Sequence, residues 1–194
     1  MVNVSVPGVR APAAGFDDPF GVLDACHERV RRSLALLERL AEHLGASGVD
    51  GAARDAARDV LRYFDLAAPA HHEDEERHVV PALRASGDAV AIASAERLLQ
   101  DHVRIRAAWA RLAPMLVRVA NGSDPGRAAF GATAAEFVAL HGPHLALEDG
   151  LAFPRASALI GVQGEPALRA MGAEMAGRRG VRVESAQEVA DRAI

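Results

Sequence analysis

The chain has 194 residues, half of them apolar, with a formal net charge of −4 and one cysteine. That length suits a single domain with a sizeable core, and the mild acidity gives no reason to expect nucleic acid or an anionic membrane as partner. No apolar run approaches the roughly 20 residues that span a bilayer, and a lone Cys26 excludes an internal disulfide and fits a reducing cytoplasm.

In chain order, Met1 to Gly15 lack the basic start and apolar centre of a signal peptide. With Pro7, Gly8, Pro12 and Gly15 they read as a flexible arm over 1–15, ahead of a helical domain over 16–160. Aspartate announces four helix starts, at Asp18-Pro19, Asp50, Asp88 and Asp124-Pro125, because its carboxylate caps free N–H groups and complements the helix dipole. Stops follow at Gly45, between Pro81 and Gly87, at Asn121-Gly122 and after Pro154. These signals predict four long helices, at about 19–44, 51–80, 89–120 and 125–156.

Each predicted helix carries an apolar stripe at three- and four-residue spacing, the mark of a face turned to a core. The first runs Leu23, His27, Val30, Leu34, Leu37; the second Val60, Phe64, Ala67, His71, Glu75. The third runs Leu98, His102, Ile105, Trp109, Leu112; the fourth Phe130, Phe137, His144, Glu148, Leu151. Histidines and glutamates thus sit inside apolar stripes, where burial without partners is costly. Short links make neighbouring helices antiparallel. At about 1.5 Å rise per residue, all four histidines then fall within about 8 Å of one level.

The stretch around His71 holds a device that the chain repeats. His71 is followed four residues on by Glu75 and six further by Pro81; His144 is followed likewise by Glu148 and Pro154. Residues i and i+4 lie one turn apart on one face, so each pair can offer an imidazole nitrogen and a carboxylate to one metal ion. Two such pairs plus His27 and His102 make a metal site inside a bundle. Their chemistry suits iron or manganese and can also hold zinc.

The remaining candidates are weaker. His72 and Glu76, one residue on from the pairs, are rotated by about 100° and expected to point away. His78 and His141 lie on the ligand side, as outer partners or substitutes, whereas His43 is expected in solvent. Glu73 and Asp74 read as a plain acidic face, Cys26 as a buried inert thiol, and Tyr63 and Trp109 as core packing. Residues 161–194 read as a short helix, about 165–178 with Leu168, Met171 and Met175 on one side, and a tail.

On His27, His71-x3-Glu75, His102 and His144-x3-Glu148 the chain resembles the hemerythrin-like, or HHE cation-binding, family, over roughly residues 16 to 178. The resemblance implies an all-α, up-down-up-down four-helix bundle with a short extra C-terminal helix. It also implies a non-haem centre of two iron ions, with those six residues as ligands, carboxylates bridging and histidines capping. The implied partner is a small ligand (oxygen, nitric oxide or peroxide) that the centre binds or senses. The competing readings are an enzyme removing peroxide or nitric oxide, and an iron-storage or iron–sulfur repair protein. The oxygen-carrying invertebrate members have a second histidine four residues after the one on helix three, where this chain has Arg106. With two histidines per ion, each iron keeps about two open positions, so durable oxygen carriage is not expected unless another residue, His141 foremost, fills the gap.

Overall fold

The computed structural model describes residues 15–181, and among them all regular structure is helical. The segments 1–14 and 182–194, expected as most of the arm and the tail, lie outside the described residues. Helix α1 spans Pro19–Ser47, and the Asp18 carboxylate accepts from the Gly21 N–H at 3.0 Å. Gly45 does not end it. A helical glycine costs only about 1 kcal/mol, and the buried Leu44 holds that turn on the core; the backbone leaves the helix at Gly48, with φ 77°.

Helix α2 covers 51–85 without a break, capped by Asp50 on the Ala53 N–H at 2.8 Å. α3 is Ala89–Ala120, capped by Asp88. α4 covers 127–161, and α5 is Glu165–Arg178. The α4 start differs from expectation. The Asp124 carboxylate accepts from the Gly126 N–H at 2.8 Å inside a turn, and the cap position belongs to Gly126, at φ 85°.

Stops were expected from Pro81 and after Pro154, but both prolines, like Pro69, lie within continuous helix. Each follows a single π turn: Tyr63–Ala67 and Glu75–Val79 in α2, and Glu148–Ala152 in α4. In each the carbonyl of the first residue, Tyr63, Glu75 or Glu148, accepts from the N–H five residues on, and proline comes next. The inserted residue widens the turn, so the proline ring does not drive into the carbonyl one α turn back. Two of the three π turns therefore open on a glutamate of the repeated motif.

α1 to α4 form an antiparallel ring in which each helix packs on its chain neighbours and α4 returns to α1. This is the up-down-up-down four-helix bundle, with α5 laid across the α1 start, the middle of α2 and the end of α4. The core is in two parts. One apolar cluster gathers Val30 to Leu44, Ala53 to Ala68, Ile105 to Ala120 and Phe130 to Leu145; the other gathers Val22, Leu23, Val79 to Leu83, Ala91 to Leu98 and Ala152 to Ile160 with Met171 and Met175. His27, His71, Glu75, His102, His144 and Glu148 occupy the layer between them.

α5 is fastened by charge and by contact. Asp74, fully buried, receives Arg178 at 2.5 Å and Arg179 at 2.6 Å, so it is an anchor and not part of an exposed acidic face. A Cβ on Gly172 would lie 1.7 Å from the Phe16 carbonyl oxygen, so only glycine lets α5 approach the chain ahead of α1. Gly172→Ala is expected to cost about 1–3 kcal/mol by overpacking. Each kcal/mol lowers the melting temperature by roughly 2–4 °C in a chain of this size. An unchanged melting temperature would show that the contact yields freely.

Candidate metal centre

The six motif residues converge from four helices. His27 comes from α1, His71 and Glu75 from α2, His102 from α3, and His144 and Glu148 from α4; all are at most 2% exposed. Glu75 places Oε1 3.2 Å from His71 Nε2 and Oε2 3.1 Å from His102 Nε2. Glu148 places Oε2 3.1 Å from His27 Nε2 and Oε1 3.0 Å from His144 Nε2. Each carboxylate therefore touches one histidine of the His27–His71 side and one of the His102–His144 side.

These close approaches are not hydrogen bonds. The Nε2 atoms of all four histidines and both oxygens of both glutamates are buried without a hydrogen-bond partner. In an ordinary core such groups would be paired. Here nitrogen and oxygen lone pairs are directed at common points between them, which is the arrangement a cation satisfies. Two groups of donor atoms each lie within 4.8 Å of one another: His27, His71, Glu75 and Glu148 in one, and His72, Glu75, His102 and His144 in the other. Buried imidazole and carboxylate donors of this kind fit iron, manganese or zinc.

His72 corrects the sequence reading. It does not point away: it is 8% exposed, stacks on His102 with ring centroids 4.2 Å apart, and belongs to the second donor group. The reason is local. His71 and His72 precede Glu75 by four and three residues, and both spacings share a helix face with it. With Glu148 Oε1 beside His144, five protein groups surround the second cluster and four the first as donors available to a metal.

An outer layer orients the imidazoles. His27 Nδ1 donates to Asp149 at 2.6 Å, and His102 Nδ1 donates to Glu76 at 2.9 Å, so their Nε2 lone pairs face inward. Arg31 holds Asp149 from outside, and Arg106 holds Glu76 at 2.9 Å. Arg106 thus lies on the rim and contributes through Glu76. Sequence reasoning missed the parts of Asp149 and Glu76, each the residue after a motif glutamate.

His141 and His78 are not brought into the centre. His141 Nδ1 donates to the Phe137 carbonyl at 2.8 Å, and its ring packs against Phe64 and Phe137. His78 faces α5, with Arg178 at 3.1 Å and Glu174 at 3.5 Å. Cys26 is buried as expected, and the Tyr63 hydroxyl donates to its carbonyl at 3.2 Å. His43 pairs with Asp50 at 3.0 Å at the surface.

The electrostatics of the metal-free chain show what the donors lack. Burial raises Glu75 to about 8 and, helped by the Glu75 charge, Glu148 to about 7. Burial, then neighbouring imidazoles, pushes His71 and His72 well below 6.5 and His144 to about 2. Burial also opposes charge on His27, but Glu148 and Asp149 outweigh it and hold its pKa at about 9.

A pH dependence follows for the apoprotein. Glu75, Glu148 and His27 have folded pKa values above their unfolded ones, so the contribution of Glu148 is lost as pH rises from 4.5 to about 7, that of Glu75 from 4.5 to about 8 and that of His27 from 6.5 to about 9. His71, His72 and His144 have depressed values, so theirs is lost as pH falls below 6.5. The apoprotein melting temperature should therefore peak near pH 6.5 and decline by pH 9. The metal-loaded chain, whose donors are deprotonated throughout, should stay level over that upper range. An apoprotein that gains stability toward pH 9 would contradict this account.

The family model described as the hemerythrin HHE cation binding domain matches residues 18–156. An uncharacterized protein of Haemophilus influenzae is 37% identical over 70 residues, which are 36% of this chain and 41% of that protein. The chain thus matches less than half the length of this curated relative. No helix among the described residues is long and apolar enough to cross a membrane.

Proposed function

The chain belongs to the hemerythrin HHE cation-binding domain family, and from that premise we propose that it is a non-haem di-iron protein of the cytoplasm. It binds or senses a small oxidant ligand, oxygen, nitric oxide or peroxide. The observation that carries the reading is that Glu75 and Glu148 each present their two oxygens to histidines on opposite sides of the layer. Carboxylates so placed would be able to share two ions at the roughly 3.5–4 Å separation of two-metal sites. The ions, when bound, supply redox chemistry and a coordination position for the small ligand.

The residues set how that position is used. Glu75 and Glu148 would hold the ions between them, and Asp149 and Glu76 fix the His27 and His102 rings. His72 adds a fifth donor to one position, which leaves the other, between His27 and His71, the more open. The two apolar clusters flank the layer on either side, and the low dielectric there strengthens the interactions within it.

Protein purified from cells given iron should contain close to two irons per chain. Anaerobic titration of the reduced protein with oxygen, nitric oxide and peroxide then separates the readings. Stoichiometric uptake supports binding or sensing, many turnovers with peroxide or nitric oxide support an enzyme, and no reaction with any of them leaves storage. One ion or none per chain at saturating metal would overturn the di-iron assignment.

A further inference from the structure

Beside the centre, on the His72 side, lies a cavity of about 370 Å³ between α2, α3 and α4. A diatomic ligand or peroxide needs a small part of that volume, whereas drug-sized ligands occupy pockets of roughly 300–1,000 Å³. Its wall is aromatic. Phe64, Trp109 and Phe137 line it and pack on one another at centroid distances of 4.9 to 5.4 Å, with Ile105 adding an aliphatic surface. The π turn Tyr63–Ala67 carries both Phe64 and Asp65, and Asp65 fixes the indole by accepting from Trp109 Nε1 at 2.9 Å.

The polar groups at this cavity are already matched. Glu76 is paired with Arg106 at 2.9 Å and Glu73 with Arg77 at 2.7 Å. An anion would have to take Arg106 from the carboxylate that orients His102, and a cation would meet Arg106 without a free counter-charge. At the inner end stands the His72 imidazole, buried and shared with the centre's second donor group.

We infer that this cavity is a binding site for a neutral, planar aromatic molecule of one or two rings, its face against the partly exposed Trp109 indole, which the buried Phe64 and Phe137 back, and its polar edge toward His72. Stacking geometry favours a ring over a flexible chain, because aromatic pairs gain beyond simple area burial. The occupant lies against the five-donor side of the centre, so it shares that side with any ligand approaching there. This last consequence rests on the di-iron reading; the ring site itself stands on the cavity alone.

Trp109 is the chain's single tryptophan, so its fluorescence reports occupancy. The probe is 4-fluorophenol, neutral at pH 7, followed by fluorine NMR and by Trp109 emission, on the apoprotein and on zinc-loaded protein. Both forms should show one saturable site with a Kd on the order of 1 mM or tighter. 4-Fluorobenzoate and 4-fluorobenzylamine should bind at least tenfold more weakly. Ala68→Leu, which fills the cavity, should abolish binding while leaving helix content and zinc uptake unchanged. If that variant does not fold, Trp109→Ala, read by fluorine NMR, should weaken binding at least fivefold. Absence of saturable binding, tighter binding of benzoate, or unchanged affinity in folded Ala68→Leu would overturn the inference. Phenol binding to a chain that takes up no metal would support the ring site and overturn the di-iron reading alone.

Discussion

Replacing Glu148 with alanine is expected to cost the chain both of its proposed ions. The carboxylate stands 3.1 Å from His27 Nε2 and 3.0 Å from His144 Nε2, so a single truncation removes an oxygen from each position. The group between His27 and His71 keeps three donors, and the carboxylate's approach from α4 to His27 on α1 is lost. Removing an outer partner of a metal ligand typically weakens binding by about 10–100-fold; removing a donor shared by two ions should exceed that. Stability should fall with the metal. Four buried imidazoles and Glu75 lose the cations that satisfied them, and breaking a buried charged constellation costs about 3–5 kcal/mol. Asp149→Ala is the contrast. Among the described residues Asp149 pairs with His27 Nδ1 and Arg31, outside the inner donors, so that variant should still fill both proposed positions at saturating metal, with roughly 10–100-fold weaker affinity. Metal analysis after extensive dialysis distinguishes the two variants. Two ions retained in Glu148→Ala would mean that Glu75 alone bridges and the assignment of Glu148 is mistaken.

The bundle was legible because its evidence is periodic. Stripes such as Leu23, His27, Val30, Leu34 and Leu37 identify a buried face with no knowledge of what covers it, and Asp18, Asp50 and Asp88 cap where their side-chain chemistry says they should. The six motif residues were legible for the same reason, since i,i+4 spacing and a common level are properties of straight helices. What escaped were local departures from the straight helix. A proline inside a helical pattern reads as a breaker, yet α2 and α4 run on through Pro69, Pro81 and Pro154, each placed just after a π turn. Glu76 and Asp149 escaped because their partners, His102 and His27, are on other helices and 26 and 122 residues away. No spacing within one helix could point to them.

His72 is a different case, because its signal was present. An adjacent pair, His71-His72, stands four and three residues before Glu75, whereas the matching places before Glu148 hold His144 and the apolar Leu145. That single difference makes the two motifs unequal and leads to the second large effect. With His72 as a ligand, one proposed position would have five protein donors and the other four. Iron favours about six ligands, so a shared water or hydroxide would complete the five-donor position and leave the other a single opening. Durable oxygen binding would require such an asymmetry, and on the proposed reading His72, rather than His141, would supply it. The iron-loaded chain should therefore take up one nitric oxide, and His72→Ala two, the second on the cavity side. The variant should also split anaerobic cobalt titration into two steps, one unchanged and one about 10–100-fold weaker, an effect at least as large as losing an outer partner. Unlike Glu148→Ala, it should keep both ions at saturating metal, because both bridging carboxylates remain. If the variant instead takes up one nitric oxide and titrates as the parent does, His72 is a stacking partner of His102 and no donor, and the two positions are equivalent with four donors each.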